Sequence, residues 1–132
     1  MSEQGTEVVT EAFAAYARGD LAATQALFHP EAELRSTIGS LEGEVFLGEN
    51  LIDDWLAASS EVWEDFQVVV EGISGEGDSG VAEVRNVGRA RGSGIPLDDK
   101  RYVGFVLKDG RIWRAQTCPT RAEALEAARL RE

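Results

Sequence analysis

Residues 16–36 read YARGDLAATQALFHPEAELRS, and the order of patterns in this stretch narrows the fold more than any other part of the chain. Just upstream, Val9, Ala12, Phe13 and Tyr16 recur at helical spacing, and Gly19 stands where a left-handed residue closes a helix. Asp20 is placed to cap a second helix, whose apolar positions Leu21, Thr24, Leu27 and Phe28 run to His29-Pro30, where the proline ring forbids continuation. Leu34, flanked by polar residues, marks a brief strand over 32–37. Few small folds share the order helix, tight break, helix, proline stop, short strand.

Downstream, the glycine-punctuated residues 39–48 read as a loop with one more short strand around Val45 and Phe46. Ile52, Trp55, Leu56, Ser59, Val62, Trp63 and Phe66 then form one stripe at 3.6 periodicity, which predicts the longest helix. Residues 68–73, 81–91, 99–107 and 111–118 are rich in β-branched and aromatic side chains. Turn chemistry separates them: 74–80, Gly92-Ser93-Gly94 with Pro96, and Asp109-Gly110. The reading is an antiparallel meander. Thr120 with Glu123 three residues on is a capping box that opens a final helix through Leu130.

The chain has 132 residues, 43% of them hydrophobic, which suits one domain over 1–132 with a single core and no need of disulfide or metal. Its net charge of −11 repels phosphate backbones and anionic membrane surfaces, so nucleic acid and membrane are not expected partners. Cys118 is the only cysteine and residues 1–11 are acidic and polar, which points to a reducing, cytoplasmic setting. No apolar run approaches the roughly 20 residues that span a bilayer.

The chain resembles the SnoaL-like branch of the NTF2-like superfamily, whose members include ketosteroid isomerases, polyketide cyclases and limonene epoxide hydrolases. The resemblance covers nearly everything from Val8 to Leu130. It is carried by residues 16–36, by GENLIDDWLAA at 48–58, GRARGSG at 88–94, LKDGRIWR at 107–114 and TRAEALEAA at 120–128. It implies an α+β cone in which N-terminal helices plug one end of a strongly curved antiparallel or mixed sheet around a largely apolar pocket. It also implies a homodimer packed through sheet surfaces. No cofactor is implied.

Alternation along the strands selects the inward face independently of the family. In the strand from 81, Ala82, Val84, Asn86, Gly88 and Ala90 form an uncharged row, while the opposite row carries Glu83, Arg85, Arg89 and Arg91. The same test turns inward Val68 and Val70, then Arg101, Val103, Phe105 and Leu107, then Trp113, Ala115 and Thr117, with Leu34 and Ser36 from the first strand. Tyr16 and Trp55 come in from the helices. The candidate ligand-binding set is thus Tyr16, Ser36, Trp55, Asn86, Arg101, Val103, Trp113 and Thr117, with no metal ligands and no carboxylate.

Proton abstraction next to a carbonyl needs a positioned base. Aligned to the ketosteroid isomerase pattern, the catalytic aspartate falls near Ser36, the oxyanion-hole tyrosine near Ala12 and the protonated aspartate near Val103, so none is retained. For the aspartate–arginine–aspartate set of the epoxide hydrolases, Arg101 supplies a cation without an inward aspartate pair. His29 is read as a helix-end or surface residue. Arg85, Arg89 and Arg91 are read as a solvated or dimer-packed face, Gly92-Ser93-Gly94 as a hairpin turn, and Cys118 as an unreactive thiol on the outward row. Two readings stay open. One is a protein that holds a small apolar molecule in the cone. The other is a diverged isomerase, polyketide cyclase or epoxide hydrolase acting on a polycyclic or terpenoid-like substrate, which a one-residue slip bringing Glu83 inward would favour.

Overall fold

A computed structural model describes residues 2–36 and 44–130. Helix α1 (Ser2–Ala17) buries Val9, Ala12 and Ala15, and the chain leaves it through Gly19 at a φ of +80°. Asp20 caps α2 (Leu21–Ala26), accepting the backbone N–H of Ala23 at 3.0 Å. This helix stops earlier than its apolar spacing predicts. Phe28, His29 and Pro30 belong instead to strand β1 (Phe28–Ser36). Pairing is the reason: Phe28 lies against Ile112 of β6 (Arg111–Cys118), and the Leu27 carbonyl accepts the Ile112 N–H at 2.9 Å. Pro30 falls in a register break between Phe28 and Glu33, where its missing N–H interrupts no ladder. The expected end of this strand at 37, and the expected loop up to 43, lie outside the described residues.

Strand β2 (Glu44–Leu47) pairs antiparallel with β1, and a 3-10 turn (Gly48–Asn50) leads into α3 (Leu51–Val62). No side chain of its own caps α3. Gln25 does so from α2, accepting the Ile52 N–H at 2.8 Å and donating to the Gly48 carbonyl at 3.1 Å. The helix ends at Val62, although Trp63 and Phe66 continue its stripe in sequence. Trp63 pairs with Ala90, so β3 (Trp63–Glu76) on β4 (Ser79–Ala90) overrides the helical period. Arg91 secures the junction: its backbone N–H reaches the Val62 carbonyl and its Nε the Ser60 carbonyl, each at 2.8 Å.

With β5 (Pro96–Lys108), the sheet runs in the order β2-β1-β6-β5-β4-β3. β3 to β6 form the antiparallel meander, and β1 joins β6 in parallel. This is an open six-stranded α+β cone. Its main core lies on the concave face, where Val9, Ala12, Leu51 and Ile52 meet Phe105, Leu107 and Ile112. The convex face carries a second, smaller core. There α4 (Arg121–Leu130), started by Thr120 Oγ1 accepting the Glu123 N–H, packs Ala124 and Ala127 on Val81 and Cys118. Gly104 permits the approach, since a Cβ there would collide with the Ala124 carbonyl oxygen. The remaining convex charges pair across strands: Arg85 with Glu71 and Asp98, Arg89 with Asp65, and Glu83 with Arg121 of α4.

Candidate functional site

Between α1, α3 and the sheet lies a cavity of about 120 Å³. Phe28, Phe105, Ile112 and Ala115 give it apolar walls, and among the described residues no charged side chain lines it. Six of the eight residues expected at a ligand site face it: Tyr16, Ser36, Trp55, Asn86, Val103 and Thr117. They come from four strands and two helices. Strand alternation puts the sheet residues on one face, and Gln25, by seating the start of α3, sets where Trp55 stands. That bridge had no local sequence signal.

Asn86 is the central polar group. It pairs in register with Val68 on one side and Asp99 on the other, is only 5% exposed, and makes no side-chain hydrogen bond with any described residue. Trp55 donates its indole N–H to Ser36 Oγ at 3.3 Å, and its ring meets Tyr16 and Phe66 edge-on, at centroid distances of 5.4 and 5.8 Å. Burial pushes the Tyr16 hydroxyl above its ordinary range, so it stands in the cavity as a neutral donor and acceptor.

Two expected residues are not brought to this cavity. Strict alternation turns Trp113 inward, but β6 carries a bulge. Ile112 pairs with Leu107 and Arg114 with Val106, so Trp113 is the extra residue and Ile112 takes the inward place. The Trp113 ring is covered by the Arg114 guanidinium at 3.9 Å and the Lys108 ammonium at 4.9 Å. Arg101 does share the inner row, opposite Val84, but lies beyond the lining, 28% exposed at the side chain. The expectation that no carboxylate shares that row needs correction. Asp99 pairs with Asn86 and therefore points the same way, and its Oδ2 holds Arg101 Nε at 2.6 Å. Glu44, opposite Ser36 on the edge strand, is exposed. Glu83 stays on the outward row, where it binds Arg121.

The other candidates resolve into structure. His29 lies within β1 rather than at a helix end; its Nδ1 accepts the Glu31 N–H at 3.0 Å and its Nε2 is 3.6 Å from Asp109. Cys118 is buried under α4, and burial, then the charge of Glu123, raises its thiol. Among the described residues, no group of three or more His, Cys, Asp or Glu side chains gathers to hold a metal, and no helix is long and apolar enough to cross a membrane.

Residues 9–115 match the SnoaL-like domain model, and the chain belongs to that family. No curated protein sequence matches it. Among solved structures, it is similar to an NTF2-like protein from Burkholderia thailandensis (TM-score 0.78, 18% identity, 98% of each chain covered). It is also similar to a protein of ketosteroid isomerase-like fold from Catenulispora acidiphila, in complex with trimethylamine (TM-score 0.72, 20% identity, 92% of each chain). A third is TerC co-crystallised with polyporic acid (TM-score 0.76, 17% identity, 96% of this chain and 98% of that one). At such identities the likeness is one of fold.

Proposed function

We propose that the chain binds a small, uncharged, largely apolar molecule in the cone, oriented by Asn86. The observation that carries this reading is the unpartnered amide itself. The amide faces the cavity with no side-chain hydrogen bond to a described residue, and a ligand bearing one hydrogen-bonding substituent can pair with it there. Apolar walls supply the driving force and the few polar groups fix orientation. Size narrows the class: a roughly 150 Å³ apolar cavity takes benzene, so about 120 Å³ suits a single ring rather than a polycycle. That two of the structural neighbours were crystallised with small molecules supports the reading.

Calorimetric and thermal-shift titration with phenol, benzyl alcohol and cyclohexanone tests it. At a hundredfold excess over Kd, binding adds about 2.7 kcal/mol, a rise of several degrees in Tm, and Asn86→Leu should blunt it. No shift with any neutral ring, or the same shift in Asn86→Leu, overturns the proposal.

A second reading, an enzyme of the isomerase, cyclase or hydrolase kind, is favoured by the Asp99–Arg101 pair on the inner row. Its test is turnover of an epoxide or a β-keto substrate that Asp99→Asn abolishes. For assembly we propose a homodimer through the convex face, supported by Val45 and Leu47, which are 47% and 62% exposed there. A clean monomer mass by light scattering would refute it. A cytoplasmic setting completes the proposal, in keeping with the free thiol of Cys118.

A further inference from the structure

A second apolar space adjoins the cavity: a groove of about 830 Å³ between α1 and β3. Ala14 and Ala17 of α1, Leu56 of α3, and Val70 and Ile73 of β3 contribute to its walls. The two spaces share Phe13, Tyr16 and Val68, so the same side chains face both. In a chain 28% charged, no charged side chain among the described residues lines either one. The polar side chains of the cavity are Asn86, Ser36, Thr24 and Thr117, and those of the groove Thr10 and Gln67, with Tyr16 shared.

We propose that cavity and groove form one continuous ligand site for a two-part molecule: a neutral ring with one hydrogen-bonding group beside Asn86, joined to a linear hydrocarbon chain that passes between Tyr16 and Val68 into the groove. The inference rests on the binding function proposed above and extends it. The head is limited to one ring by the cavity's volume, while the groove is several times larger and mostly apolar, with Thr10 and Gln67 among its walls. Apolar surface of that extent is stabilised only when covered. A charged group along the tail would lose hydration without gaining a counter-charge among the described residues that line the path.

The test is isothermal titration with a 4-alkylphenol series from phenol to 4-octylphenol, on the wild type, Ala14→Glu and Asn86→Leu. Affinity should rise about fourfold per added methylene, equivalent to about 0.8 kcal/mol. That slope should flatten in Ala14→Glu, which puts a carboxylate at an exposed groove position, and should persist in Asn86→Leu, where every member weakens by a common factor. A flat slope in the wild type, or a slope untouched by Ala14→Glu, overturns the two-part site and leaves the cavity reading standing. Phenol affinity unchanged in Asn86→Leu overturns the cavity reading, and the two-part site with it. If Ala14→Glu instead converts a dimer to monomers in sedimentation, the groove is covered by a second copy and the proposal is wrong.

Discussion

The indole N–H of Trp55 reaches Ser36 Oγ across 3.3 Å, tying the middle of α3 to the last described residue of β1 at the cavity wall. Trp55→Phe keeps an aromatic ring between Tyr16 and Phe66 but removes the donor. Stability should fall by about 1 kcal/mol, a drop in Tm of about 4 °C. Calorimetry showing an unchanged Tm would mean the bond contributes nothing net.

Ser59 sits 1% exposed on α3, and its hydroxyl has no hydrogen-bond partner among the described residues. Ser59→Ala removes an unmatched buried group and improves helix propensity, so it should stabilise the chain by about 1 kcal/mol. Urea melts check this through the midpoint; a midpoint that moves down would show that the hydroxyl is matched after all.

Because burial raises Tyr16 above the ordinary value of 10.0, the folded chain keeps a proton that the unfolded chain releases. The contribution is whole below about pH 10 and is lost as pH rises through the higher folded value. Between about pH 8 and about pH 11, the wild type should therefore lose more stability than Tyr16→Phe. Parallel losses in denaturant melts would place the hydroxyl in water.

Gly104→Ala drives a methyl group into the Ala124 carbonyl, where backbone rather than a flexible side chain must give way. The expected loss is about 1–3 kcal/mol, with α4 loosening first. Hydrogen exchange over residues 121–130 reads this directly, and unchanged protection there would show that the helix can shift freely.

Where alternation ran unbroken, the sequence was enough to place side chains. Val84 and Asn86 on β4, and Val103 and Phe105 on β5, stand where an uncharged row predicts them. Period-two reasoning fails at an inserted residue, because a bulge leaves no compositional mark: Trp113 was turned inward and Ile112 outward by one uncounted step. Asp99 was missed for a different reason. It shares the parity of Arg101, but a charge-based choice of the inward face discounts acidic residues, and its ion pair two residues away leaves no separate mark in the sequence. Helix ends at Phe28 and Trp63 were invisible locally, since apolar residues at helical spacing serve a sheet equally well once Ile112 and Ala90 wait opposite them. The Gln25 bridge joins residues 27 apart to Ile52 and has no local signal at all.

β3 is 14 residues long and lies at the border of the sheet, with β4 on one side only. Such a border presents a row of unmatched amides and carbonyls on which another chain could grow as an additional strand. Two interruptions in its register, one holding Asp65 at a φ of +54°, bend it away from the straight template that strand addition needs. Glu64, Asp65, Glu71 and Glu76 lie along it, the first three matched by Arg91, Arg89 and Arg85 of the neighbouring chain segments. These departures from ideal strand geometry leave the border of β3 a poor template for the edge-to-edge pairing by which strands of separate molecules join into fibres.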